Sequence, residues 1–549
     1  MNKLRYYITK LLQPISHELP FYIIFTLFTS LPGIILFLFQ NGNVPLVILI
    51  RRVLTLLCMP AFLAYLFSFI LYRTKSILLR TFFYGFSILL FTFNIYLIWQ
   101  FGTMISPWIL LLLFETNSRE AIEFIQQNLF SASFLCTCLI FVFVCLLVLL
   151  AEKRTHSVRC KDLLLICTIP FHIIGFYLTI LLFFSLTIRD QYKLEMWYGG
   201  HGQYSTMNTF GNLIYSINHL IIAGKENQIA IRNSINASKE YVEYKGEDSL
   251  NIILIIGESY NKYHASIYGY SLPTTPNMEK EQSMGNLFVF TDAISPYNIT
   301  SLAMKNMIST NSLSKGEVWY EKPAFPIFFK KAGFCVFFWD NQKPSSDTSF
   351  YDFSLGSYLY NSQTISLTYS QFNDKTYPYD HLLFQSFVRE AKMDKLNLCI
   401  FHLMGQHSAA GKRFPHNKDY QHFHSHDVKR SDLSEQERQN IADYDNATFY
   451  NDQVIASVID YFRSQNSVII YLSDHGEEVY DYRHFLGRSH ELNKSPNAIK
   501  YQYDIPMMIW FSEQYKKNHP DIVKAVRHNA TLHFESDNLP FLLFSLAQI

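Results

Sequence analysis

The chain has 549 residues, 49% hydrophobic and 16% aromatic but only 17% charged, against about 25% charged in ordinary soluble domains. Its 46 Lys+Arg nearly cancel its 45 Asp+Glu, which excludes the basic surplus of a nucleic-acid binder. A load of 48 Phe, 36 Tyr and 6 Trp excludes a solvated, disordered chain.

Five apolar runs near the N-terminus, at 19–39, 53–72, 77–99, 131–151 and 163–187, approach the ~20 residues that a membrane span needs. They lack the polar face of an amphipathic core helix, and a signal peptide would account for the first alone. Three segments fall on one side of such a membrane domain: Lys3, Arg5 and Lys10; Arg73, Lys75 and Arg80; and Lys153, Arg154, Arg159 and Lys161. The positive-inside bias makes that side the cytoplasm, with Arg51 and Arg52 running against it. Everything after residue 188 or so is then expected outside.

The expected organisation is a five-helix transmembrane domain over 1–187, a connector with interfacial helices over 188–249, and an extracytoplasmic catalytic domain over 250–549. In the connector, Trp197, Tyr198 and Tyr204 suit a membrane interface, and FGNLIYSINHLIIAG has the periodicity of a surface helix. From Leu250 the pattern changes. Short apolar strands at NIILIIG, 287–290, 335–339, 396–402, 467–472 and 505–511 alternate with helical stretches, the longest near 434–464. This predicts an α/β domain with a mostly parallel sheet between helices, binding its ligand at the carboxyl ends of the strands. Six of the eight cysteines lie in spans or the cytoplasmic loop. Cys335 and Cys399 sit in apolar strands, as one disulfide or two buried thiols.

The polar residues at those strand ends carry the chemistry. One strand ends at Glu258, and another runs into Ser473-Asp474-His475-Gly476-Glu477-Glu478. A third ends in His402, with His407 following in HLMGQH, and the loop RHFLGRSHE supplies His484 and His490. Carboxylates with imidazoles suit zinc, and after it manganese, with room for a phosphate oxygen. In ISPYNITSLAMKNMIS, Thr300 stands where a helix begins, so its hydroxyl would meet the free N–H groups that favour a phosphate. A Thr there also serves as an ordinary N-cap, and Ser301 and Ser295 are rival hydroxyls.

Taken together, the five spans, GES, the helix-start Thr, HxxGxH and SDHGEE resemble the bacterial phosphoethanolamine transferases. FETNSREA (114–121) and YDNATFYND (444–452) extend the resemblance over nearly the whole chain. It implies an alkaline-phosphatase/sulfatase-like catalytic domain on the periplasmic side of the inner membrane. It also implies zinc held by Glu258, Thr300, Asp474 and His475, with Thr300 as the residue that becomes phosphoethanolaminated. His407 matches a histidine near the phosphate or a second zinc, with His402 beside it, and Asn341 matches an asparagine contacting the phosphate region. The later active-site histidine falls on His490 or His484, and distance from the following strand favours His490. SPYNIT lacks the Cys-Gly that often precedes the nucleophile, and the several disulfides of some members cannot form. The implied reaction takes phosphoethanolamine from phosphatidylethanolamine onto Thr300. It then passes to lipopolysaccharide (lipid A or a core sugar) or a related envelope glycan. Rival readings are a glycerophosphotransferase of the lipoteichoic-acid-synthase type, a sulfatase or phosphatase, and a non-catalytic membrane sensor.

Overall fold

The computed structural model describes residues 2–39, 46–116, 118–154, 167–190, 193–194, 208–246, 248–343, 352–488 and 495–549. They form two compact units, one within Met1–Ala223 and the other from Gly224–Arg488 and Lys494–Ile549. The division falls inside the helix Thr209–Ala237, in the stretch expected as a connector.

The first unit is helical. Leu19–Leu38, Arg52–Thr74, Ile77–Phe101 and Ala132–Lys153 are long and apolar enough to cross a membrane. The expected fifth span is shorter. Pro170 sits in the first turn of the helix Ile169–Ser185, where a missing N–H costs nothing. Its 17 residues rise only about 25 Å, short of a hydrocarbon core of about 30 Å. Among the described residues four helices have full spanning length, and the expected fifth run includes residues 163–166, which lie outside the description. On Ala132–Arg154, Leu139, Phe143, Leu146 and Leu150 are exposed, as a face turned to lipid would be. Arg80, inside an apolar helix, is held by Glu18 at 2.6 Å and Glu152 at 2.9 Å, the pairing that a cation at membrane depth requires. The stretch before Ala132 is not a plain loop. Ser106 accepts from the Ile109 N–H ahead of Pro107 and starts the helix Pro107–Glu115, and Ser118–Asn128 follows.

In the second unit the strands, in chain order, are β1 (Leu250–Gly257), β2 (Leu287–Phe290), β3 (Ala293–Ile294), β4 (Cys335–Asp340), β5 (Gln371–Phe372), β6 (Leu396–His402), β7 (Ser467–Ser473), β8 (Glu478–Val479), β9 (Leu486–Gly487), β10 (Met507–Phe511) and β11 (Phe534–Glu535). Seven form the main sheet in the order β2-β10-β7-β1-β6-β4-β5. All described neighbours in it are parallel except β10, which runs against both β2 and β7. Every residue of β1 is buried, which explains its unbroken apolar run. Its side chains alternate between two cores. Ile252, Leu254 and Ile256 pack with the helices Thr300–Ile308 and Leu539–Ala547. Ile253 and Ile255 pack on the other face with Asp380–Glu390 and Glu435–Phe462. Cys399 lies opposite Phe337 and Cys335 opposite Asn397, so the two are out of register, and both are free thiols.

Candidate metal centre

Strand order brings the polar ends together. Gly257 pairs with Ser473, Ile256 with His402, and Asp340 with His402. Glu258, Asp474–His475, His402 and Asp340–Asn341 therefore leave four adjacent strands at one edge, the carboxyl end where open α/β sheets bind ligands. Gly405 lets the HLMGQH loop lie against Glu258: a Cβ there would stand 2.8 Å from the Glu258 N and O atoms. Gly476, in the second motif, would put a Cβ 2.3 Å from the Tyr501 carbonyl.

The helix Thr300–Ile308 starts with Ile299 as its N-cap, and no side chain caps it. Thr300 is thus not spending its hydroxyl on its own helix. Its Oγ1 donates to Glu258 Oε2 at 3.1 Å and lies 3.2 Å from His475 Nε2. Of the rival hydroxyls, Ser295 donates to the Tyr297 carbonyl, and Ser301 is buried. His475 Nδ1 is 3.0 Å from the Gly476 carbonyl, an acceptor only. That contact keeps a proton on Nδ1, so in the neutral ring it is the Nε2 lone pair that faces the cluster. The same Nε2 is 3.0 Å from Asp474 Oδ2 and 3.3 Å from Glu258 Oε1.

These three residues fit a cation. One ligand atom from each of Glu258, Asp474 and His475 lies within 4.8 Å of the others, and all three are buried. Tetrahedral zinc ligands at about 2.1 Å would stand ~3.4 Å apart, close to the spacings seen. Asp474 Oδ1 accepts from the Ser259 and His475 N–H groups, while Oδ2 is buried without a hydrogen bond. An oxygen left in that state is costly unless something else takes it. Burial, and then the Glu258 charge, push the Asp474 carboxyl up. Burial would do the same to Glu258, but His475 outweighs it and holds Glu258 well below the usual range. Burial and Arg488 press the His475 imidazole down, yet the two carboxylates lift it to about 9. Two buried carboxylates around one ring call for positive charge.

The remaining expected residues divide. His402 is buried with Nδ1 2.9 Å from Asp340 Oδ1, and its Nε2 has no hydrogen bond. His407 is half-buried, and burial pushes it down to about 4 against the pull of Glu258. Asn341 turns its amide to the scaffold, donating to Asp380 at 2.7 Å and accepting from the Tyr377 N–H at 2.6 Å. His484 is not brought to the cluster: it is 61% exposed and lies against Glu437. His490 lies outside the described residues.

Sequence reasoning missed Gln342 and Arg488. Gln342 Nε2 donates to Glu258 Oε2 at 3.1 Å and to the Leu403 carbonyl at 2.8 Å, so it orients a ligand carboxylate. Gln342→Ala is expected to weaken metal binding about 10- to 100-fold, read by chelator competition; unchanged affinity would reject the role. The only signal was adjacency to Asn341. The YDNATFYND helix braces the other side. Tyr444 donates to the Ser259 carbonyl at 2.6 Å and accepts from the Asn261 N–H at 2.7 Å. Beside it, buried His264 contacts Asp445 at 2.7 Å and Asp481 at 3.4 Å.

Burial opposes the His264 charge, but Asp445 and Asp481 raise its pKa from 6.5 to about 10. A raised folded pKa contributes stability that is complete below the unfolded value and fades as pH rises through the folded one. Unfolding midpoints should therefore fall between pH ~6.5 and ~10, more steeply in the wild type than in His264→Gln. Parallel profiles would contradict the assignment.

A sulfatase-type α/β domain following apolar helices, with a cluster at its strand ends that could hold a metal ion, is what the fold and site define. The sulfatase family profile matches residues 250–545, and the chain belongs to that family. More particularly, it is similar to the phosphoethanolamine transferases. It is 27% identical over 306 residues to phosphoethanolamine transferase EptC of Escherichia coli K12, covering 52% of this chain and 49% of that protein. To phosphoethanolamine transferase EptA of Helicobacter pylori it is 29% identical over 292 residues, 52% of each. The chain thus spans about half the length of the curated relatives it matches. The integral membrane protein lipooligosaccharide phosphoethanolamine transferase A of Neisseria meningitidis shares its fold over 96% of this chain and 95% of its own, with a TM-score of 0.58 at 18% identity. The expected fold class therefore holds in its N-terminal apolar helices and its C-terminal sulfatase-like α/β domain with a mostly parallel sheet.

Proposed function

We propose that this protein transfers phosphoethanolamine from phosphatidylethanolamine, through a Thr300 phosphodiester, to lipopolysaccharide or a related envelope glycan. The observation that carries it is the Thr300 hydroxyl, held 3.1 Å from Glu258 and 3.2 Å from His475 instead of capping its helix. Glu258, Asp474 and His475, with Thr300, would hold zinc, for which one imidazole and two carboxylates are a fitting set, ahead of manganese. Bound there, zinc supplies a Lewis acid and compensates the buried carboxylates.

The residues divide the work. Glu258 orients the Thr300 hydroxyl through its Oε2. Thr300 Oγ attacks the phosphorus of the donor lipid: its bond to phosphorus forms, the bond to the glycerol oxygen breaks, and diacylglycerol leaves with a proton. An acceptor oxygen then attacks the same phosphorus, and Thr300 regains its hydroxyl. The acceptor's proton passes to the leaving Thr300 oxygen; His407, depressed by burial to about 4, is a weak base at pH 7 but stays neutral and can accept a hydrogen bond that orients the acceptor hydroxyl. The arginine and lysine distribution supports an inner-membrane location with this domain in the periplasm.

The test is mass spectrometry of the Thr300 peptide after incubation with phosphatidylethanolamine. A phosphoethanolamine adduct is expected. A glycerophosphate adduct or an unmodified peptide would overturn the reading.

A further inference from the structure

Among the described residues of the RHFLGRSHE loop, Arg488 is the one that reaches the cluster. The cause is the ribbon of β8 and β9. Glu478 pairs with Gly487 and Val479 with Leu486, antiparallel, so the chain leaving β9 runs back towards His475. Arg488 is the first residue to arrive. His484, before β9, is left at the surface.

The guanidinium shares a contact atom with the proposed nucleophile. Arg488 Nη1 is 2.6 Å from His475 Nε2, the atom that also has Thr300 Oγ1 at 3.2 Å. The same Nη1 donates to the carbonyl of Asn298 at 3.2 Å, two residues before Thr300. Guanidinium and hydroxyl therefore both contact one ring nitrogen. Its charge is felt by Glu258, Asp474, Glu477 and His407 alike, from all sides of the cluster.

The other arginine of the loop shows what Arg488 is not. Arg483 is tied to Glu478 by two bonds, at 2.7 and 2.8 Å, so its charge is already matched. Among the described residues Arg488 makes no ion pair with a carboxylate and has a ring nitrogen and a carbonyl for partners. A cation bound to His475 Nε2 would repel the guanidinium from that nitrogen and free Nη1 for another acceptor. Arginine keeps its charge at any physiological pH, and its planar fork matches two oxygens of a phosphoryl group.

We infer that Arg488 binds the non-bridging oxygens of the phosphoryl group at Thr300. The inference rests on the transfer reading and adds to it the residue that neutralises the phosphodiester while it is bound and while it is transferred. Charge held there before reaction lowers the barrier, because it needs no reorganisation as the phosphorus is attacked.

The full chain, loaded with zinc in detergent, provides the test. Arg488→Ala is expected to slow formation of the Thr300 adduct about 100-fold or more through the rate at saturation. Zinc per chain should stay unchanged. Arg488→Lys should recover part of the rate, and added guanidinium ion should partly rescue Arg488→Ala. Calorimetric titration with inorganic phosphate should show binding weakened about tenfold or more in Arg488→Ala. Equal phosphate binding in wild type and Arg488→Ala would overturn the inference, and so would zinc lost in step with activity. If the wild type forms no Thr300 adduct, the transfer reading falls while the phosphate titration still decides the role of Arg488.

Discussion

Thr300→Ala is expected to abolish transfer, with a loss of at least ~10,000-fold, because no other group takes the nucleophile's place. The change should leave the fold intact. The hydroxyl does not cap its helix, and Glu258 keeps hydrogen bonds from Gln342 and Ser259 when it is removed. The expected cost in stability is therefore within about 1 kcal/mol. Thr300→Ser, which restores a hydroxyl on a freer side chain, should return part of the activity. The measurement is transfer of phosphoethanolamine from labelled phosphatidylethanolamine, with the intact mass of each variant. An active Thr300→Ala protein would remove Thr300 from the reaction; an unfolded one would show only that the hydroxyl is structural.

What the sequence made legible follows from how local each signal is. β1 could be read because eight successive buried residues leave an apolar run no loop would carry. Glu258 and Asp474–His475 could be read because they follow such runs directly. The reversed direction of β10 could not, since an apolar strand of five residues looks alike either way round. Gln342 depends on β4 lying next to β6 and β6 next to β1, which is a tertiary fact. Arg488 depends on the β8–β9 register, and the sequence drew attention to the histidines of the same loop, His490 ahead of His484. The helices Pro107–Glu115 and Ser118–Asn128 lay between apolar runs that dominated the pattern, although Ser106-Pro107 was a readable start signal. The fifth span is matched only in part for a local reason: its apolar run begins at residue 163, outside the described residues, while the described helix runs Ile169–Ser185.

Asp474→Asn separates the cost of the cluster from its use. In the wild type, Oδ1 accepts the Ser259 and His475 N–H groups, while buried Oδ2 has no hydrogen bond and lies 3.0 Å from His475 Nε2. Above about pH 9, where the metal-free His475 imidazole is neutral, asparagine keeps the first oxygen and places an amide donor opposite the imidazole lone pair. It also removes the repulsion with Glu258 that helps push the Asp474 carboxyl up. At that pH metal-free Asp474→Asn protein should therefore be more stable than metal-free wild type, by about 1–3 kcal/mol. With zinc the order reverses. Wild type should gain ~4 kcal/mol at a free zinc concentration a thousand times the dissociation constant, whereas the variant, missing one charged ligand, should gain almost nothing and should not transfer. Denaturant titration of detergent-solubilised protein with and without zinc measures both differences. Equal zinc-dependent gains in the two proteins would place the metal elsewhere. A less stable metal-free variant would mean that Asp474 is held by the fold for its shape and not, against its own electrostatic cost, for a cation.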